Sequence, residues 1–359
     1  MAKEMGEIGI GIIGSGNWAG HFIAASQRHS RARAVAVCNP NIASARLMAD
    51  KHGVTDAVGD VEEILARTEV DAVAIVTPND SHEEIAIAAL SAGKHVICEK
   101  PMAMNLEEAR RMKAAADTAG VVTGINFTWR HSSAAVYARH LVSQGELGRI
   151  FHINGCFHQG WLINPDVPLI WRLRKDKTGS GCLGDIGAHI IDLSEWVSGE
   201  RITSVVADMT TFIEERPLQG GSGTGPVDVD DAASLMVRFG NGAMGSLTSS
   251  RYVISEGMDQ RLEIYGEKGA ILMDFHNPDS LKASIGRFAG ENQMLSIPIP
   301  ARFKQTPTGY LQRNVKNFID AIVAGEQMSP SFADGLHNQE ILEAVETSVS
   351  ERSWVDIAG

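Results

Sequence analysis

At 359 residues, 44% hydrophobic and 21% charged, the chain has the composition of a folded protein long enough for two domains with cores of their own, which excludes a disordered or fibrous polypeptide. A formal net charge of −12 with no run of lysine or arginine argues against a nucleic-acid surface and leaves small molecules as partners. The four cysteines, Cys38, Cys98, Cys156 and Cys182, lack CxxC spacing and read as reduced core thiols, so neither a disulfide framework nor a zinc site is expected.

The first apolar run, from Ile8 to Ile13, opens the stretch "IGIGIIGSGNWAG". No small-residue cleavage pattern follows it and no segment approaches the ~20 apolar residues of a membrane span, so it reads as a buried strand of a cytoplasmic protein. The strand breaks into Gly14-Ser15-Gly16-Asn17-Trp18-Ala19. Such spacing suits a dinucleotide: the first glycine makes the turn, the second lets backbone N–H groups approach a pyrophosphate at the positive end of the next helix, and small Ala19 lets helix and strand pack closely.

Strand-like runs at Ala34 to Cys38, Ala72 to Val76, His95 to Cys98 and Val121 to Ile125 alternate with helical patterns at Ala43 to His52, Glu62 to Ala66, His82 to Ala92 and Leu106 to Ala119. Alternation of this kind predicts a parallel sheet with crossover helices, a dinucleotide-binding (Rossmann) α/β domain over 1–126. Ser81-x-x-Glu84 and Asn105-x-x-Glu108 look like N-terminal caps, and Gly53, Gly93 and Gly120 fall where a left-handed C-terminal residue is wanted.

Beyond residue 126 strands follow one another: Ile150 to His158, Ile202 to Phe212, Ala233 to Phe239, Ala243 to Ser249, Arg261 to Tyr265 and Ala270 to Phe275. Asn-Gly within Phe239 to Ala243, and Gly266-Glu267-Lys268-Gly269, are hairpin signals. The prediction for 127–359 is an α+β domain with a large, mostly antiparallel, open-faced sheet, for substrate binding and self-association. Helices at Tyr310 to Ala324 and Asn338 to Ser350 pack on this sheet or return to the first domain. Glu214 to Asp231, with "GGSGTGP", reads as a long flexible loop.

Chemistry concentrates in "TPNDSH" (from Thr77), "CEKP" (from Cys98), "GINFTWRH" (from Gly124) and "WRLRKDKTGSGCLGDIGAHIIDL" (from Trp171). Ligands of an open parallel sheet sit beyond the carboxyl ends of its strands, where Thr77, Asn79, Glu99 and Lys100 fall. Asp185 and His189 share one face of a helix at a spacing of four, with Asp192 a turn further; a histidine beside a carboxylate is a proton acceptor near neutral pH. The plainer alternatives are a solvated Lys100, and a helix cap at Asp185 with a half-buried His189. No third ligand accompanies that pair, so no metal is expected.

These stretches together closely resemble the glucose-fructose oxidoreductase, inositol dehydrogenase and rhizopine catabolism (Gfo/Idh/MocA) family over nearly the whole chain. The resemblance implies an NAD(P)-dependent oxidoreductase that oxidises a secondary hydroxyl of a sugar, anhydrosugar or cyclic polyol. Lys100, Asp185 and His189 are then catalytic: His189 takes the hydroxyl proton, Lys100 hydrogen-bonds the same oxygen, and Asp185 orients substrate or histidine. Cofactor-binding candidates are Gly14, Ser15, Gly16, Asn17, Trp18, Asn39, Thr77, Pro78, Asn79, His82, Glu99, Lys100 and Asn126. Trp129, Arg130, His158, Trp161, Trp171 and Arg172 are candidate sugar contacts beside Asp185 and His189, in a pattern similar to the branch acting on unphosphorylated sugars such as inositol or levoglucosan.

One position departs from the family. Where an acidic residue usually follows the second strand, this chain has Asn39, which lacks the charge that repels a 2′-phosphate, so NAD is expected with NADP possible; Arg33 and Arg46 are the nearest cations. The resemblance also implies a homodimer or homotetramer through the open sheet face. Competing readings are an NAD-dependent glycosidase, a keto-sugar reductase, and a dinucleotide-binding regulator without catalysis.

Overall fold

Ile8–Ile13 forms β1, buried at all six positions, as an unbroken apolar run inside a two-sided parallel sheet requires. The computed structural model describes residues 6–254, 257–286, 293–304 and 309–357. Strand and helix then alternate through α1 (Asn17–Arg28), β2 (Ala32–Cys38), α2 (Ile42–His52), β3 (Asp56–Val58), α3 (Val61–Leu65), β4 (Ala72–Ile75), α4 (His82–Ser91), β5 (His95–Cys98), α5 (Leu106–Ala119) and β6 (Thr123–Ile125). Next come α6 (Ser133–Ser143), β7 (Ile150–Gln159), the short α7 (Lys175–Thr178), a π-helical turn over Leu183–Gly187, and α8 (Ala188–Ser198). Strands dominate afterwards: β8 (Ile202–Thr210), β9 (Glu215–Pro217), β10 (Thr224–Pro226), β11 (Ala232–Phe239), β12 (Met244–Ser250), β13 (Met258–Gly266), β14 (Ala270–Asp274), β15 (Leu281–Ser284) and β16 (Leu295–Ile297). Helices α9 (Gly309–Ala324) and α10 (Phe332–Glu351) and the short β17 (Val355–Asp356) complete the chain. Contacts divide it into two units, Met1–Thr128 with Pro307–His337 and Trp129–Thr306 with Asn338–Gly359.

The first unit carries a six-stranded sheet in the order β3-β2-β1-β4-β5-β6, parallel at every pairing. The order reverses between β1 and β4, which puts the ligand-accepting switch point beside the glycine loop. Phe22 and Ile23 of α1 pack with Val315, Phe318 and Ile319 of α9 in one core cluster under β1 and β2. Cutting fully buried Phe318 to alanine would cost about 3–5 kcal/mol.

Local signals act as their chemistry demands, with one exception. Asn105 accepts from Glu108 N at 3.0 Å while Glu108 accepts from Met104 N at 3.0 Å, and Gly53 and Gly120 end their helices at φ of 67 and 65°. The expected cap at Ser81 does not form. Ser81 Oγ instead lies 2.8 Å from Thr77 Oγ1 and 2.9 Å from Pro78 O, because a 3-10 turn, Asn79–Ser81, precedes α4 and turns the hydroxyl back to the strand end.

The second unit is built on a nine-stranded sheet in the order β16-β15-β14-β13-β7-β12-β11-β8-β17, antiparallel throughout except for the parallel β7–β12 pair. Helix α8 lies against one face, so close that a Cβ on Gly155 would fall 2.8 Å from Ile190 Cδ1. Alternation does the rest: Ile153, Phe157, Leu247, Leu262 and Ile264 point to the covered face and are buried, whereas Asn154, Cys156 and His158 point the other way. Cys156 is therefore half-buried on the outward face, unlike the core thiol expected from its neighbours.

Two further expectations are corrected. Glu214 to Asp231 is not a flexible loop, since β9 and β10 pair within it and buried Arg216 donates to Asn164 O at 2.9 Å and Tyr252 Oη at 2.6 Å. Val227 and Val229 pack there with Leu162 and Leu173, a burial hidden by the glycine-rich tip. The last helix, α10, begins at Phe332, six residues before the expected Asn338, with the fully buried Phe332 in its first turn.

Candidate active site

In the first unit the site is made by backbone. Gly14 has a φ of 112°, and a Cβ there would lie 2.4 Å from Val76 O, so both conformation and space require glycine. Gly16 caps α1 with no side-chain hydrogen bond and faces open space within 4 Å of where a Cβ would be. The first amides of α1 are thus left to an incoming anion, at the positive end of a helix, and fully buried Ala19 keeps that helix against the strand. Ser15 and Asn17 belong to the same turn, and Trp18, 36% exposed, leans on His21.

Asn39, at the end of β2, donates from Nδ2 to Ser15 Oγ at 2.9 Å and accepts from Asn41 N at 2.8 Å, tying the second strand end to the glycine loop. Both expected cations have partners of their own. Arg46 donates to Thr55 O at 3.0 Å; Arg33 pairs with Glu7 at 3.1 Å and lies opposite Gly9, five residues and roughly 16 Å of strand from Cys38.

Thr77, Pro78 and Asn79 follow β4 and meet the loop after β5 through His82. Its ring lies 3.1 Å from both Thr77 O and Pro101 O, and burial pushes its pKa down; the neutral ring donates to one of these carbonyls at a time. Glu99 Oε1 accepts from Asn126 Nδ2 at 2.6 Å, and Asn314 Nδ2 on α9 donates to Asn126 Oδ1 at 3.1 Å and Ile125 O at 2.8 Å. Glu99 and Asn126 were expected; Asn314 was not, since its helix is far away in sequence and only the fold shows its polar side chain to be fully buried. Lys100 stands next to this chain of hydrogen bonds, before a cis Lys100–Pro101 bond.

The second unit builds its part from charge. Asp185 lies in the π turn Leu183–Gly187 and His189 opens α8, so the two do not share a regular α-helical face; single π turns occur often at functional sites. Asp185 is not the cap. Asp230 does that work, accepting from Gly181 N and Leu183 N, each at 2.7 Å. Burial pushes its pKa up, against the pull of those amides and of Arg251.

Arg251, fully buried, donates to Asp230 O at 2.9 Å and sets its guanidinium 3.9 Å from both Asp185 Oδ2 and Asp231 Oδ1. Trp161 lies 5.9 Å from the same guanidinium, Arg172 O accepts from Arg251 at 3.4 Å, and Arg172 covers the Trp171 ring. His189 is buried with its ring 6.0 Å from that of Phe157.

Three further expected sugar contacts have distinct surroundings. Arg130 is buried against buried Asp192, donating from Nε at 2.9 Å and again from Nη2, so its guanidinium is committed to a carboxylate. Trp129 packs edge-on to Phe157 and Phe275 and is 6% exposed. His158 follows Phe157 on β7 and so points to the face opposite His189.

Family models match both halves: an oxidoreductase family model with an NAD-binding Rossmann fold over residues 8–127, and the GFO/IDH/MocA C-terminal domain over residues 135–272. The chain belongs to the Gfo/Idh/MocA oxidoreductase family. It is 35% identical to levoglucosan dehydrogenase of Pseudarthrobacter phenanthrenivorans, over 90% of this chain and 89% of that one. Among solved structures it is similar to an oxidoreductase domain protein from Kribbella flavida (TM-score 0.93, 36% identity, 99% of this chain and 100% of that one). A levoglucosan dehydrogenase in complex with NADH and levoglucosan superposes with a TM-score of 0.90 at 32% identity, over 98% of this chain and 100% of that one. This family member is an oxidoreductase whose Rossmann domain binds NAD, and the open cradle at Gly14 and Gly16 fits that dinucleotide. No described helix is long and apolar enough to cross a membrane.

Proposed function

We propose that the protein is a dehydrogenase that oxidises a secondary hydroxyl of an unphosphorylated sugar, anhydrosugar or cyclic polyol to a ketone, reversibly and in the cytoplasm. The observation that carries this reading is the buried Arg251 beside Asp185, in the π turn that leads to His189: a fixed charge next to a proton-handling pair. The first unit serves as the dinucleotide domain, holding the cofactor at Gly14, Ser15, Gly16, Asn17, Trp18, Asn39, Thr77, Pro78, Asn79, Glu99, Lys100 and Asn126, with His82 bracing Thr77 and Pro101. The second unit serves as the substrate domain.

The bound nicotinamide supplies the hydride acceptor. His189 accepts the hydroxyl proton, Lys100 donates a hydrogen bond to the reacting oxygen as charge develops on it, and Asp185 orients the substrate. Trp161, Trp171 and Arg172 bind the sugar, while Trp129 and Arg130 position the elements behind them. NAD is preferred because Asn39 is engaged with Ser15, Arg33 pairs with Glu7 at the far end of its strand, and Arg46 donates to Thr55 O. Self-association uses the outward face of the nine-stranded sheet, where Met236 and Met244 are 55% and 46% exposed; a monomeric mass by light scattering would contradict that part.

Mixing the protein with free sugars, anhydrosugars and inositols, each with NAD and separately with NADP, and following absorbance of the reduced nicotinamide tests the whole reading. Reduction of NAD by members of the panel is the expected result. Cleavage of a glycoside without net reduction, or cofactor binding with no turnover in either direction, would replace it with a glycosidase or a regulator.

A further inference from the structure

Outside the groups assigned above, three donors of different chemistry meet on the outward face of the nine-stranded sheet. Cys156 and His158 stand two apart on β7 and so point the same way, and Asp259 on β13 lies directly across from His158 in the antiparallel register. Sulfur, imidazole nitrogen and carboxylate oxygen lie within 4.8 Å of one another, and His158 Nδ1 is 3.8 Å from Asp259 Oδ2. A tetrahedral ion with bonds of about 2.0–2.3 Å holds its donors roughly 3.3–3.6 Å apart, so small side-chain rotations on a fixed backbone close the set.

His158 is already oriented for such a role. Its Nε2 meets Thr248 Oγ1 at 3.0 Å, the outer hydrogen bond that fixes the tautomer of a metal-bound imidazole and leaves Nδ1 as the ligand. One thiol, one imidazole and one carboxylate suit a borderline-soft dication of the zinc class, since magnesium and calcium prefer oxygen alone. Arg261 now fills the place of a cation. It donates from Nε and Nη2 to the two Asp259 oxygens at 3.0 and 2.9 Å and stands directly across from Cys156 in the strand register. Its side chain is 49% exposed in the single chain. The cysteines carry no sequence sign of this site, because the third ligand arrives only through strand register.

We propose that Cys156, His158 and Asp259 bind a divalent metal of the zinc class, and that Arg261 is the cation the metal displaces. The full-length protein, expressed in zinc-supplemented medium so that self-association cannot keep metal out, is freed of loose metal and analysed for bound zinc; the stripped protein is titrated with Co²⁺ and followed by absorbance. One metal per chain is expected, with a thiolate-to-cobalt charge-transfer band that disappears in Cys156→Ser. Affinity should fall at least about tenfold in Asp259→Asn and rise in Arg261→Gln. Melting temperatures of all variants are compared so that a loss of binding is not mistaken for a loss of fold. A cobalt spectrum without the thiolate band, or equal affinities in the unaltered, Cys156→Ser and Asp259→Asn proteins, would overturn the site; no gain in Arg261→Gln would remove Arg261 from it.

Discussion

The glycine loop of the first unit and the π turn of the second both prepare a place for polar chemistry, by opposite means. At Gly14 and Gly16 side chains are absent, so that backbone amides and a helix end do the binding. Around Asp185 the backbone is irregular and is held by side chains brought from afar: Asp230 under the turn, Arg251 beside it, and Arg130, paired with Asp192 of the next helix. A site made of backbone depends on size and φ. A site made of charge depends on keeping its partners.

The largest expected effect breaks the second kind. Asp192→Asn removes a carboxylate charge from beside the buried Arg130 guanidinium and should lower unfolding free energy by about 3–5 kcal/mol, read from urea denaturation midpoints. Replacing both partners by apolar residues of similar volume should restore most of that loss; if Asp192→Asn alone is neutral, the pair is not the brace described here. Next come the glycines. Gly14→Ala should cost about 1–3 kcal/mol of strain and weaken NADH binding together, whereas Gly16→Ala, at a φ of −73° with open space around it, should weaken NADH binding with the melting temperature unchanged. Equal behaviour of the two would erase the distinction between turn and cradle.

The smallest effect is a pH dependence in the first unit. His95 Nδ1 accepts from Val122 N at 2.9 Å, which requires the neutral ring, and burial lowers its pKa from 6.5. A depressed histidine contributes stability that is present above the unfolded value and lost as pH falls through the folded one. His95→Asn should therefore flatten the acid side of the stability profile below pH about 6.5; an unchanged slope would contradict the assignment.

This contrast explains what could be read in the sequence. The Rossmann half announces itself because strand, glycine turn and cap are local: β1, β5 and α5 begin and end where the apolar runs and Asn105 and Gly120 put them. Lys100, Asp185 and His189 enter the proposed site through motif and resemblance. Arg251, Asp230 and Asn314 were not, since each acts across scores of residues and a buried arginine looks like an exposed one until the chain folds. For His158 and Trp129 residue type suggested a sugar contact, and what the sequence did not show is their setting: alternation along β7 for the first and packing against Phe275 for the second. Glycine content likewise disguised Glu214 to Asp231, whose order comes from Arg216 and two valines.

The most direct test of the central claim is turnover in a Lys100→Met, His189→Ala pair of variants, measured with a substrate from the sugar panel alongside NADH binding by fluorescence. The account predicts that His189→Ala binds NADH within a few-fold of the unaltered protein, that Lys100→Met binds it more weakly because a cofactor contact goes with the side chain, and that both lose about 10²–10⁴ in kcat. Turnover near that of the unaltered protein in either variant would contradict it.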